Sequence, residues 1–227
     1  MDTNHQDKIK RSAEKQFETT EYSPMSPPDA YKPPAMNPVP YEQFSPILQL
    51  LIDEHKTISA ELDKFENTLV KIRKEEFSQE ANKNISAFFE FLDEQIVRHH
   101  LIEDRFLFPL LHQRLLEVGE HGNGPIPETA VDIMENDHIK VMQLAALIFN
   151  IIGISARIPD AASRTMLLDF AIEHGMTLIE ATRLHIFRED NMVFALAHKH
   201  ITTDEFYEME KKLNQSFPKI KLPDVNR

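Results

Sequence analysis

The chain has 227 residues, 25 Lys plus Arg against 37 Asp plus Glu, and a formal charge of −12, so binding to a phosphate backbone has no global electrostatic support. Cysteine is absent, which excludes disulfides, cysteine nucleophiles and thiolate-bound zinc or iron–sulfur centres. Apolar residues make up 41%, glycines number only five and histidines eleven, a composition that favours a folded, helix-rich protein and leaves the histidines to be explained.

Taken in chain order, the first twenty residues lack the apolar core of a signal peptide. Seven of the 14 prolines fall between Pro24 and Pro40, a run that favours extended, hydrated backbone. Residues 1–44 are therefore expected to be a flexible Pro-rich tail, the alternative being an extended arm that lies on the domain or on a protein partner, anchored by Tyr22, Tyr31 and Tyr41. Ser45-Pro46 reads as an N-cap with proline at the first helical position. Apolar residues at 47, 48, 51, 52, 58, 62, 65, 69 and 72 make a helical stripe. A second helix is expected over 78–117, kinked or broken at Pro109. The stretch 119–127 holds three glycines and reads as a loop. Helices over 127–153, 159–197 and 203–216 follow, and 218–227 reads as a C-terminal tail. The fold class is all-α: an antiparallel four-helix bundle over 45–217 with a short C-terminal helix. The longest apolar stretch, Val141–Ile154, is too short to span a bilayer and contains Gln143 and Asn150. The expected protein is soluble and cytoplasmic, with no membrane and no nucleic-acid partner.

The sequence repeats itself. His99, His-Leu-Ile, Glu103 and Asp104 precede Phe108, Leu110 and His112; His185, Ile-Phe-Arg, Glu189 and Asp190 precede Phe194, Leu196 and His198, all at one constant offset. A lone helical histidine stands upstream of each motif, His55 and His138. Each half thus reads as one helical hairpin. Residues four apart share a helix face, so His99 neighbours Glu103 and His185 neighbours Glu189. Both pairs sit among apolar residues, where an unpaired carboxylate is costly. With no Lys or Arg on that face, a metal cation is the simplest partner. Four imidazoles and two carboxylates, without sulfur, suit iron, manganese or zinc. If each carboxylate bridges and an oxide or hydroxide is added, two metals about 3.5–4 Å apart would each keep an open position.

The order His55, His99-x-x-x-Glu103, His138, His185-x-x-x-Glu189 resembles the hemerythrin-like, or HHE cation-binding, family of non-haem di-iron four-helix bundles, over roughly residues 46–200. The resemblance implies two iron ions with a bridging oxide or hydroxide, held by His55, His99, Glu103, His138, His185 and Glu189. Oxygen-carrying members have a second histidine four residues after the third-helix one; Met142 stands there, which implies a nearly symmetric site rather than a dedicated oxygen carrier. Their last helix carries His-x-x-x-x-Asp, so Asp190 competes with Glu189 as the ligand, and Asp104 with Glu103. The i to i+4 offset favours the glutamates. The ligand pattern is most similar to the iron–sulfur cluster repair (RIC) proteins, many of which carry a small cysteine-bearing N-terminal domain, whereas this chain has a Pro-rich tail and no cysteine. The implied function is binding of, or response to, O2, nitric oxide, peroxide or iron, in sensing, stress protection or cluster repair. A peroxidase or nitric-oxide-consuming enzyme and a metal-free helical interaction module are the alternatives.

Glu135, Glu54 and Asp137 are candidates for carboxylates behind the ligand imidazoles. Glu135 with His138 also fits half of a ferritin-like Glu-x-x-His pair, of which two would be needed. His100 lies about 100° around the helix from His99 and is read as a bystander. His112 and His198 lie about 20 Å along their helices from the motifs, and His174 about 16 Å, too far to share the site. His5, His121 and His200 read as solvated. Phe88, Phe89, Phe91, Phe106 and Phe108 read as core.

Overall fold

The computed structural model describes residues 39–74 and 77–223. Among them every regular element is helical. The first rod is α1 (Pro46–Lys74). The second consists of α2 (Gln79–Phe91), α3 (Val97–Ile102) and α4 (Phe108–Glu117), joined by π turns at Leu92–Ile96 and Glu103–Leu107. The third rod is α5 (Ala130–Ser155). The fourth is α6 (Ala161–Arg188), which passes through a π turn at Glu189–Val193 into α7 (Phe194–His200). A short α8 (Thr203–Ser216) closes the chain. Four rods with short connections form the expected bundle.

Local sequence sets most rod ends. The Ser78 hydroxyl accepts from the amide of Ala81, and Asp160 accepts from Ser163. Thr129 with Asp132, and Thr202 with Glu205, form reciprocal capping boxes. Gly119, at φ 78°, ends α4: its amide bonds Leu116 and that of Glu120 bonds Leu115, a turn that needs the left-handed conformation. Ser45 departs from expectation. α1 does start at Pro46, but the buried Ser45 hydroxyl has no hydrogen-bond partner. Gln49 instead ties this end down by donating to the carbonyls of Phe44 and Tyr41.

The rod carrying Pro109 does not break. Pro109 is the second residue of α4, directly after a π turn in which the Phe108 amide bonds the carbonyl of Glu103, five residues back. Widening that turn accommodates a residue that has no N–H of its own. The fourth rod has the same turn without a proline, with the Phe194 amide on Glu189. The turn thus belongs to the repeated motif, not to Pro109 alone.

The bundle has two apolar cores with a polar layer between them. One is built around Leu48, Leu51, Leu111, Met134, Val193 and Ala197, with α8 packed beneath it through Phe206, Met209 and Leu213. The other is built around Leu62, Phe65, Phe88, Ile148, Leu178 and Ile179. Along α1 the sequence passes from Leu51 in the first core, through His55, to Ile58 in the second. Along the second rod it passes from Ile96, through His99 and Glu103, to Leu107. By length and composition α5 is apolar enough to cross a membrane; here it turns Met134, His138, Val141 and Ile148 into the interior.

The described residues that flank the helices, 39–44 and 218–223, depart from the expected tails. Residues 1–38, which hold most of the Pro-rich segment with Tyr22 and Tyr31, lie outside the described residues. Residues 39–44 are not tail-like: Tyr41–Gln43 forms a 3-10 turn, the Tyr41 hydroxyl donates to Asp53 at 2.7 Å, and Phe44 is buried. At the C-terminus, Ile220 and Leu222 pack against the first core.

Candidate metal centre

The polar layer holds all six histidines and glutamates of the repeated pattern, each buried. Across the bundle, His55 Nε2 lies 3.0 Å from His99 Nε2, and His138 Nε2 lies 3.2 Å from His185 Nε2. The carboxylates join these two pairs. Glu103 reaches His99 at 3.4 Å and His138 at 3.4 Å, through different oxygens. Glu189 Oε2 lies 3.1 Å from His55 and 3.2 Å from His185. Two four-donor groups result, His55/His99/Glu103/Glu189 and Glu103/His138/His185/Glu189, each close enough to hold one metal ion. They share both glutamates.

Outer carboxylates fix the rings. Asp190 lies 2.8 Å from His55 Nδ1, Glu54 2.9 Å from His99 Nδ1, and Asp104 2.9 Å from His138 Nδ1. An ionised carboxylate only accepts, so these Nδ1 atoms carry hydrogen, and the inward Nε2 of each neutral ring offers a lone pair. His185 differs: Asp137, one methylene shorter than Glu54, stays 3.9 Å from its Nδ1 and accepts from Arg188 at 2.6 Å instead. Arg98 likewise donates to Glu54 at 2.7 Å. Phe194 and Phe108, the first residues after their π turns, stack on His55 and His138 at 5.6 and 5.5 Å.

Lone pairs on the inward nitrogens of His55, His99 and His138 therefore face the layer, together with His185 Nε2 and two buried carboxylates. None of the four carboxylate oxygens has a conventional hydrogen-bond partner. Positive charge must enter this layer as protons or as metal ions. Protons are an incomplete answer, because two imidazoliums about 3 Å apart would set N–H against N–H. The demand is nonetheless written into the rings. Against burial, Asp190 and Glu189 carry His55 up to about 10. Burial likewise opposes the charged His138, yet Asp104 and Glu103 raise it to about 9. His185, also buried, is raised to about 10 chiefly by the charge of Glu189. Burial resists ionisation of Glu189, but His185 and His55 hold it well below the usual carboxylate range. Imidazole nitrogens at 3.0–3.2 Å with shared carboxylates are a donor set that fits transition-metal ions.

Of the outer candidates, Glu54 meets its histidine and Asp137 stands near its own. Glu135 does not: it is exposed on α5, and Asp104 from the other hairpin takes the Nδ1 of His138. No Glu-x-x-His pair enters the layer, which removes the basis for a ferritin-like reading. Asp104 and Asp190 approach the Nδ1 atoms of His138 and His55, while the glutamates beside them approach the Nε2 atoms. The doubled Glu-Asp dipeptide is the sequence signal for this division of labour.

His100 was not legible as part of the layer. It is 5% exposed, stacks on His138 at 3.8 Å with rings 11° from parallel, and meets His185 edge-on at 5.5 Å. Burial, then the neighbouring rings, push its own ionisation well below 6.5. Met142, where a fifth histidine would stand in oxygen carriers, is 37% exposed on the outer side of α5. Of the remaining histidines, His112 bonds Thr129 at 2.9 Å, His174 caps the carbonyl of Phe170, and His121 is exposed.

Fold and layer together define a helical bundle whose buried histidines and carboxylates form a candidate metal-binding centre. The chain belongs to the hemerythrin family: the model of the hemerythrin HHE cation-binding domain matches residues 47–197. No curated protein and no solved structure gives a significant match.

Proposed function

We propose that the protein is a di-iron protein that binds or responds to a small ligand such as O2, nitric oxide or peroxide, or to iron itself. His55 and His99 would hold one iron, His138 and His185 the other, and Glu103 and Glu189 would bridge them, with an oxide or hydroxide completing the pair. The observation that carries this is the sharing of both glutamates between two four-donor groups. When bound, the irons would supply electrons and open coordination positions to the ligand. The chain supplies the rest. Asp190, Glu54 and Asp104 orient the rings, and Phe108 and Phe194 shield the lone histidine of each hairpin from water.

The same layer supports sensing, stress protection or iron–sulfur cluster repair in the cytoplasm. The charge of −12 and the donor carried inward on α5 support a soluble protein. The test is to load the reduced protein with iron anaerobically and add O2, nitric oxide and peroxide in turn, following the visible spectrum. A saturable change with one or more of them, absent in Glu103→Gln, is the expected result. Failure to take up iron overturns the proposal; iron uptake with no change on any of the three additions overturns the small-ligand reading and leaves only a response to iron itself. Multiple turnovers of peroxide or nitric oxide above a His99→Ala control would favour the enzymatic reading.

A further inference from the structure

The two halves of the layer are not equivalent. At the repeat offset, His100 corresponds to Ile186. The histidine lies nearest the pair His138 and His185, with ring centroids 3.8 and 5.5 Å away, and its chain neighbour His99 at 5.9 Å. One nitrogen of each of the His100, His138 and His185 rings lies within 4.8 Å of the other two. His100 is more than nine-tenths buried, and its Nδ1 has no hydrogen-bond partner. A buried imidazole nitrogen without a partner costs stability unless something completes it.

Direct ligation does not fit this arrangement. A metal lies near the plane of an imidazole that binds it. The His100 and His138 planes are 11° from parallel with centroids 3.8 Å apart, so one ion cannot lie in both. A ring nitrogen within 4.8 Å of nitrogens of His138 and His185 is instead placed to meet an atom that such an ion would bind from outside the protein.

We propose that His100 is a positioning residue for the exogenous ligand: it hydrogen-bonds a small anion or diatomic molecule bound to the metal held by His138 and His185, and so directs ligands to that metal. An imidazole suits this role because in either protonation state it offers at least one N–H donor. The Ile186 side offers none. This inference rests on the di-iron reading, and the experiment separates the two.

Wild type, His100→Leu and His100→Gln are loaded with iron, assayed for metal, and titrated with azide by visible spectroscopy, and the bound-azide stretch is read by infrared spectroscopy in H2O and D2O. The Leu variant retains the ring's approximate volume without polar atoms, and the Gln variant keeps a donor and an acceptor. Iron content equal in all three, azide affinity about 10-fold or more weaker in Leu and restored in part by Gln, and a D2O shift of the bound-azide stretch present only where a donor remains, are the expected results. Equal azide affinity in wild type and Leu, with iron retained, overturns the role of His100 and leaves the di-iron reading standing. Loss of iron from both folded variants overturns it differently, by making His100 a metal ligand. A wild type that takes up no iron overturns the underlying reading itself. If Leu does not fold, Gln in H2O and D2O decides alone: an azide band without isotope shift in Gln and wild type refutes the hydrogen bond.

Discussion

Glu103→Gln tests the shared-carboxylate layer through stability. Glu103 has no exposed surface, and its two oxygens face His99 and His138, one from each metal-binding group. Glutamine keeps the volume and removes the charge, so one substitution weakens both groups. Counting a single ion as the lower bound, free metal at 100 times its Kd stabilises the wild type by about 2.7 kcal/mol. Loss of an outer partner typically costs 10–100-fold in metal affinity, so loss of a shared inner carboxylate should cost at least about 100-fold. The linked stabilisation in the variant then falls to about 0.4 kcal/mol. In a chain of this size the difference, about 2.3 kcal/mol, corresponds to about 5–9 °C in Tm. The assay is thermal unfolding of both proteins with ferrous ion and with chelator, under argon. Comparing each protein with itself cancels the effect of the substitution on the metal-free fold. A wild-type Tm indifferent to metal, or a variant with the full wild-type shift, would refute the reasoning.

Other outcomes follow from the same contacts. Asp104→Asn and Asp190→Asn should each weaken metal binding by about 10-fold in a competition titration, the low end of the usual range because both carboxylates are substantially exposed. Glu205, which bonds Arg114 and caps α8, is held down at about 2 by Arg114 and Thr202. A folded value below the unfolded one stabilises above the unfolded pKa and is lost as pH falls. Glu205→Gln should therefore cost about 1 kcal/mol at pH 7 in urea unfolding, with the gap from wild type closing as pH falls from about 4.5 toward 2. Gly175→Ala would bring a Cβ to 2.5 Å from Leu69 Cδ1. The helix-propensity gain of about 1 kcal/mol should be outweighed by overpacking of about 1–3 kcal/mol, giving a lower urea midpoint.

Much of this was legible in the sequence because helices report their faces through spacing. The i to i+4 pairs His99/Glu103 and His185/Glu189, and the lone histidines upstream, converge in the structure as the repeat implied. What escaped depends on contacts between rods. Spacing alone reads His100 as a bystander, because 100° of rotation leaves the face of a two-helix contact. In a four-helix bundle a rod is buried over a wide arc, and His99 and His100 turn toward different neighbours. Glu135 shares a helical face with His138 in projection, but Asp104 from the opposite hairpin reaches that imidazole instead. The π turns have no single-residue signature, since the one after Glu189 contains no proline. Residues 39–44 looked like tail because proline dominates their surroundings, yet burial of Phe44 and the hydrogen bond from Tyr41 to Asp53 hold them to the bundle.

The central claim is that one layer of four histidines and two glutamates holds two irons. It is tested most directly by elemental analysis of the iron-loaded chain, with visible spectra in air and after anaerobic reduction. The account predicts about two irons per chain and charge-transfer bands of a bridged ferric pair that bleach on reduction. No bound iron, or a single zinc in a colourless protein, would contradict it.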